Sequence, residues 1–305
     1  MVGKTVSRTL YGAGILLGLA VLALAVVYAL SQARLDKRYE VRVAPAVPDP
    51  ALAAEGARLA RSRGCADCHG EDFGGKLLLD QMPFGRIVGD NLTRMPAGHE
   101  AGSVQERMFR ALHHGVDMDS RPLMMMPSKE FASLSRHEVD ALSAYFSRLA
   151  PTGPELPDSA LGPLGRTLLV AGKLDGFLSA EAIDHAAGIV AEPPPLGTLE
   201  YGRHAAQLCT GCHRNDFAGG PMPHGGPGLP PAANLTTDAT GLARWSERDF
   251  VTAMRSGRRP DGTAIDGSAM PWRAVGRASD LELHSIWLFL QSLPPIERDA
   301  TAAGR

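Results

Sequence analysis

The chain has 305 residues, and its 31 Lys and Arg nearly balance 33 Asp and Glu, for a formal net charge of −2. That balance lacks the basic excess of a nucleic-acid binder, so no nucleic-acid partner is expected. The length fits about two domains, and 34 Gly with 23 Pro argue for loops and short helices over long regular elements.

Leu10 to Leu30 carries no charged residue. At about 1.5 Å per residue this run can cross a hydrocarbon layer of about 30 Å. Lys4 and Arg8 precede it; Arg34, Lys37, Arg38 and Arg42 follow it, so basic flanks alone leave its orientation open. A signal peptide cleaved near Ser31-Gln32-Ala33 is the alternative. The length of the run favours a retained anchor over residues 1–33. An extended stalk over 34–50 follows, with Pro45, Pro48 and Pro50.

All four cysteines lie in two close pairs, each followed at once by a histidine: Cys65-Ala66-Asp67-Cys68-His69 and Cys209-Thr210-Gly211-Cys212-His213. C-x-x-C-H is the attachment signature of c-type haem. Two thiols add across the two vinyl groups of one porphyrin, and the next residue offers an imidazole to the iron from below. A zinc site or a redox dithiol could also use C-x-x-C, but zinc would need further ligands or the two pairs brought together. The expectation is two covalently bound haem c groups in an exported protein.

An internal repeat points to the second axial ligands. His69 and His213 are 144 positions apart (213 − 69), and so are Met126-Pro127 and Met270-Pro271 (270 − 126). Asp72-Phe73 pairs with Asp216-Phe217 at that offset, and Asn91-Leu92-Thr93 with Asn234-Leu235-Thr236 one residue out of step. Met124, Met125 and Met126 are consecutive candidates; the offset and the following proline favour Met126. Met270 has no near competitor. Met82, Met95, Met108, Met118, Met222 and Met254 read as core filling. His113 and His114 have no histidine partner in the second repeat and are assigned a surface or haem-edge role. His99, His137, His185, His204, His224 and His284 are expected to be ordinary polar residues. The predicted iron ligands are thus His69, Met126, His213 and Met270. No catalytic residue is assigned, because a six-coordinate iron has no free position for substrate.

Helical patterns precede each haem motif, over Ala51–Arg63 and Leu199–Leu208, and close each repeat, over about Ser135–Leu149 and Ser279–Leu293. Ser135-x-x-Glu138 reads as a capping box. The first repeat is bounded at 51–151, the second at 197–296, with a linker at 152–196 and a tail at 297–305. Within the linker, Leu161–Lys173 is expected to form a short helix between the domains, Ser179–Ala182 to start another, and Pro193-Pro194-Pro195 to act as a stiff spacer. Arg255, Arg258 and Arg259 are expected to face solvent.

With these residues in hand, the chain resembles the multihaem cytochrome c subunits of bacterial membrane-bound dehydrogenases, such as that of quinoprotein alcohol dehydrogenase. The resemblance rests on the two C-x-x-C-H motifs, Pro83-Phe84-Gly85, Asn91-Leu92-Thr93 and Met126-Pro127. In the second repeat it rests on Asn234-Leu235-Thr236, the run Trp245 to Phe250, Arg258 to Gly262, and Met270-Pro271-Trp272. It implies an all-α fold of two tandem class I cytochrome c domains, which here stand behind the single N-terminal transmembrane helix read from the apolar run; the family often holds its membrane anchor elsewhere. It also implies a bacterial inner-membrane location with the haem domains on the periplasmic side. The implied role is electron transfer between a dehydrogenase or quinol-oxidising complex and a terminal acceptor, with a dehydrogenase subunit, an oxidase or a soluble cytochrome as redox partner. Those subunits usually carry three haems, whereas this chain has two motifs. Two other roles stay open: a subunit of a haem-copper oxidase, and a dihaem enzyme, a peroxidase or thiosulfate-type dehydrogenase, with one open iron.

Overall fold

The computed structural model describes residues 2–43, 47–96, 98–99, 103–222 and 229–298, with side chains from residue 10 onward. Pro45, His224 and most of the expected tail, 299–305, lie outside the described residues.

Helix α1 runs from Val2 to Leu35. The most apolar 18-residue window of its stretch Leu10–Leu35 has a mean hydropathy of 2.6, and no protein covers that window. Such a surface is stable only where something other than water covers it. The helix ends against the body of the protein. Arg166 stacks over the Tyr28 ring at 4.3 Å and donates to Ser31 Oγ at 2.9 Å and Gln32 Oε1 at 3.0 Å. Arg34 pairs with Glu181 at 2.6 Å. The segment after α1 was expected to stand free as a stalk. Instead Tyr39 is buried, its N–H donates to the Ser120 carbonyl at 3.0 Å, and Arg38 donates to the Asp119 carbonyl. The aromatic ring and the unpaired backbone are what draw this extended piece onto the domain.

The first repeat contains α2 (Ala53–Ser62), α3 (Cys65–His69), α4 (Val104–Phe109), α5 (Ser128–Phe131) and α6 (Arg136–Phe146). Between α3 and α4 lie two antiparallel strands, β1 (Lys76–Gln81) and β2 (Gly85–Gly89). A short third strand, β3 (Ala160–Leu161), comes from the linker and pairs with β2. The all-α expectation is therefore corrected: a small three-stranded sheet is inserted in a helix-rich fold. Strand β1 is mostly exposed and carries its three leucines in succession, β2 is bounded by glycines, and β3 has two residues, so the sequence carries no clean alternation to announce them. Helix α7 (Pro163–Val170) also comes from the linker. It packs on α1 and the sheet, not between the two repeats. Ile87, Leu161, Leu169, Phe177 and Leu178 form a separate small core beneath it. The turn at Ser179–Glu181 is a single 3-10 turn.

The second repeat comprises α8 (Leu199–Ala205), a 3-10 turn at Ala206–Cys209, α9 (Thr210–His213), α10 (Glu247–Ser256), α11 (Trp272–Val275) and α12 (Asp280–Gln291). Each repeat has its own core. One is built around Leu59, Phe73, Phe109, Leu142 and Phe146, the other around Tyr201, Phe217, Phe250, Leu283 and Phe289. In each, the first helix crosses the last at a glycine. A Cβ on Gly56 would collide with the Ala141 carbonyl, and one on Gly202 with the Ser285 carbonyl.

Where the repeats meet, charge is buried. Arg63, at the end of α2, lies 3.4 Å from Glu138 Oε1, 3.5 Å from Tyr201 Oη and 3.8 Å from Glu282 Oε1. His204 meets Glu138 at 2.7 Å, Tyr201 donates to Glu282 at 2.9 Å, and Arg58 pairs with Glu282. Glu138 and Glu282 each also close a capping box, with Ser135 and Ser279. Burial works against the Arg63 charge, but Tyr201 and the two carboxylates outweigh it and raise its pKa. Burial would lift Glu138, yet the His204 hydrogen bond and Arg63 hold it down at about 2.

Two outcomes follow from this packing. Gly56→Ala or Gly202→Ala forces two backbones apart and should cost about 1–3 kcal/mol, read as a lowered midpoint in denaturant. A carboxylate with a depressed folded pKa stabilises the fold above its unfolded pKa, and that stability is lost as pH falls through the folded value. Acid unfolding should therefore spread from about pH 4.5 down to about pH 2. Glu138→Gln should flatten that part of the stability curve; an unchanged curve would show that Glu138 contributes nothing to it.

Candidate functional site

Each C-x-x-C-H sequence forms one short turn of helix directly after the first helix of its repeat. Gly64, at φ 77°, turns the chain into α3. The turn is held from the side by β2, because a Cβ on Gly89 would strike the Cys68 carbonyl. The sheet thereby delivers the next residue, Asp90, to His69, whose Nδ1 donates to the Asp90 carbonyl at 2.7 Å. His213 Nδ1 donates in the same way to the Ala233 carbonyl at 2.8 Å. Burial lowers both imidazole pKa values, so both rings are neutral. With Nδ1 committed, each ring is left with the lone pair of Nε2 as its ligand atom.

The Asn-Leu-Thr segments brace the turns. Asn91 Oδ1 accepts from Thr93 N–H at 2.9 Å and Thr93 Oγ1 at 2.7 Å, while Nδ2 donates to the Thr152 carbonyl at 2.7 Å. Asn234 repeats the pattern with Thr236 at 2.9 and 2.8 Å and the Ile296 carbonyl at 2.8 Å. The apolar residue of each segment anchors it: Leu92 N–H donates to the Phe73 carbonyl and Leu235 N–H to the Phe217 carbonyl. One asparagine in each repeat thus ties the segment beside the histidine to the chain that leaves the last helix.

The methionines come from matching turns. Met126-Pro127 leads into α5 and Met270-Pro271 into α11, with nearly equal proline angles, φ −79° ψ 54° and φ −76° ψ 53°. Met126 packs against the first core together with Cys65, and Met270 against the second together with Cys209. Met124 packs instead beneath α7, and Met125 is 51% exposed at φ 64°. Of the three consecutive methionines, only Met126 shares a core with an attachment cysteine. Met108 and Met254 are buried as core filling, whereas Met82, expected in a core, is 73% exposed.

The four thiols are unpaired and neutral. Burial pushes Cys65 up to about 12 and Cys209 up to about 11, and raises Cys68 and Cys212 too. Such thiols are not activated in the way the thiolate of a redox dithiol is. Among the described residues no cluster of three or more His, Cys, Asp or Glu is arranged to hold a metal ion by itself. The residues fit a prosthetic group that brings its own ring of donors and needs the protein only for axial ligands and covalent attachment.

Of the surface or haem-edge role expected for His113 and His114, the surface alternative is corrected. Both are buried, at 4% and 7% exposure, not at a surface. His113 Nδ1 donates to the Ala132 carbonyl at 3.1 Å, and His114 contacts His185 at 3.1 Å. Burial lowers each to about 4. They pack beside Phe109, under linker residues that the sequence placed elsewhere. His137, His204 and His284 contact the carboxylates of Glu55, Glu138 and Glu247 at 3.0, 2.7 and 2.8 Å. Arg255 is exposed and pairs with Asp280, and Arg258 and Arg259 are exposed as expected. The sequence reading missed the cluster of Arg63, Tyr201, His204 and Glu282. Its one available signal was the spacing: Glu138 and Glu282 are also 144 apart (282 − 138), each three residues after a serine.

Residues 53–150 match the family model for cytochrome c, a domain that carries covalent haem c and transfers electrons. Beyond that domain, the chain resembles cytochrome c subunits of dehydrogenases. It is 29% identical over 280 residues to the cytochrome c subunit of alcohol dehydrogenase (quinone) from Gluconacetobacter polyoxogenes, covering 81% of this chain and 57% of that one. It is 28% identical over 272 residues to the corresponding subunit of Gluconobacter oxydans (strain 621H), covering 81% and 56%. To the gluconate 2-dehydrogenase cytochrome c subunit of Pantoea cypripedii it is 29% identical over 270 residues, covering 80% and 60%. The chain therefore spans a little over half the length of these relatives.

The bracing asparagines provide a direct check. Asn234→Ala removes the acceptor for Thr236 and the donor to Ile296 from a buried site. It should lower the unfolding free energy by about 1–3 kcal/mol in a denaturant titration.

Proposed function

We propose that the chain is a membrane-anchored dihaem cytochrome c, with one class I cytochrome c domain at 51–151, a second at 197–296, and α1 as a single transmembrane anchor. The observation that carries this reading is the duplication of one geometry. In each repeat an imidazole has Nδ1 tied to a carbonyl and Nε2 left over, and a Met-Pro turn brings a thioether to the same core as the attachment cysteine.

In this reading Cys65 and Cys68 attach one haem and Cys209 and Cys212 the other. His69 with Met126, and His213 with Met270, are the axial ligands. Each haem supplies a one-electron iron couple. The protein holds each imidazole in one tautomer and orientation through the Asp90 and Ala233 carbonyls. Met126 and Met270 would supply a thioether ligand, which favours ferrous iron and raises the potential over a second histidine. The apolar cores containing Phe73 and Phe217, on which these methionines pack, would limit access of water to the group. With both axial positions filled by protein, the chain passes electrons and leaves substrate chemistry to a partner.

The relatives are cytochrome c subunits of dehydrogenases, which supports a dehydrogenase as the electron donor; an oxidase or a soluble cytochrome is the proposed acceptor. The exposed apolar length of α1 supports a membrane anchor, and in this reading the membrane is the bacterial inner membrane and the haem domains stand on its periplasmic side. An anchor raises the concentration of the haem domains near membrane partners.

The test is covalent haem per chain, followed by the reduced spectrum with and without carbon monoxide. Two haems and no response to carbon monoxide are expected. Met126→Ala and Met270→Ala should each open one iron to carbon monoxide, while Met124→Ala and Met125→Ala should not. A response in the unaltered protein would instead support a dihaem enzyme with one open iron.

A further inference from the structure

The two attachment turns do not point away from one another. Gly211, inside the second motif, lies against Glu130 of α5, the helix that follows Met126; a Cβ there would sit 3.1–3.3 Å from the Glu130 side chain. Gly64, which opens the first motif, lies against Ala274 of α11, the helix that follows Met270, at 3.5 Å. Each motif thus rests on the methionine helix of the other repeat. Around the second of these contacts, Arg277 pairs with Glu71 at 3.8 Å, and Arg273 and Arg277 both face Asp67. Leu208, just before Cys209, packs against the first core.

Arg63 occupies the middle. It lies two residues before Cys65, and its charge is felt at both Cys65 and Cys209. Its side chain is 4% exposed, and its Nε–H is buried with no acceptor. The carboxylates it faces are the capping glutamates of the last helices of the two repeats, Glu138 from one and Glu282 from the other. The partners also cross over. Glu138 of the first repeat is met by His204 of the second, and Glu282 of the second by Arg58 of the first. One guanidinium between two repeat-related carboxylates fixes one arrangement, since sliding or rotating either repeat would strip a buried charge of its partner.

We propose that Arg63, Glu138 and Glu282 are positioning residues that hold the two haem-attachment turns against each other, so that electrons pass from haem to haem within one chain. This rests on the dihaem reading above. The step is a plain electron exchange: one iron goes from ferrous to ferric as the other goes from ferric to ferrous, with no bond made or broken. The reciprocal contacts bring together the turns that carry the thioether links, so the haem partner of each centre is the other centre.

Close haems couple their Soret transitions and give a two-signed circular dichroism band, a readout independent of any activity. The full chain, matured with covalent haem, should show that band. Arg63→Met should weaken or abolish it while keeping two haems per chain and the carbon monoxide-insensitive spectrum of each. Arg63→Lys should restore part of it. Glu282→Gln, which keeps the shape and the Tyr201 contact, should weaken it more mildly and covers the case in which Arg63→Met fails to mature. A single-signed band in the unaltered two-haem protein would overturn the proposal. So would a band of full size in Arg63→Met, or in Glu282→Gln if the former does not mature. Fewer than two haems in the unaltered chain would instead overturn the dihaem reading itself.

Discussion

The close crossing of the first and last helix in each repeat is the contact on which the rest is built. Glycine at residues 56 and 202 lets backbone touch backbone, against Ala141 and Ser285. Because the attachment turn follows the first helix almost without a break, this crossing fixes where the cysteines and histidine stand. Because the last helix supplies Tyr145 and Phe146, or Phe289, as a wall, it also fixes the apolar surface they face. Phe73 stands edge-on to Tyr145 and Phe146 at 5.8 and 5.2 Å, and Phe217 to Phe289 at 5.2 Å. A side chain at either glycine would move the whole frame relative to the methionine turn.

The parts of this design that are local in sequence were legible in it. The attachment motifs, the Met-Pro turns, the four helices flanking them and the Ser135–Glu138 capping box are each short patterns with a direct chemical reading. The repeat of 144 residues did more than any single motif, since it singled out Met126 among three neighbours. In the structure Met124 turns under α7 and Met125 to solvent, leaving Met126 beside Cys65. The Ser279–Glu282 box had the same S-x-x-E signature as its partner, and its spacing carried information about the interface that a motif-by-motif reading overlooks.

What failed was long-range. Strand β3 is two residues of the linker and has meaning only beside β2. Tyr39 is buried because Ser120, some eighty residues later, offers its backbone carbonyl. His113 and His114 are buried because linker residues 182–189 fold over them, which no spacing around the histidines reveals. In each case a segment assigned to the stalk or the linker packs onto the first repeat. The linker is long because it does structural work. It completes the sheet that holds Asp90 in reach of His69, and it grips the end of α1 through Arg166 and Glu181. Helix α1 is in this way joined to the first repeat by defined contacts, not by a loose tether.

The buried cluster between the repeats is hard to explain as a source of stability. Taking several charges out of water costs about as much as their mutual attraction returns, and a well-packed apolar interface would hold at least as firmly. Nor are its distances those of tight pairing: Arg63 stands 3.4–3.8 Å from its nearest oxygens. What the cluster adds is uniqueness. An apolar interface tolerates sliding, whereas a single guanidinium facing one capping glutamate from each repeat has one satisfactory position. In the proposed dihaem reading that requirement suits two centres that must keep a constant separation, because electron exchange falls off steeply with distance while folding stability does not. The same cation lies near Cys65 and Cys209, one cysteine of each repeat. Its charge therefore acts on both repeats alike and does not set one against the other.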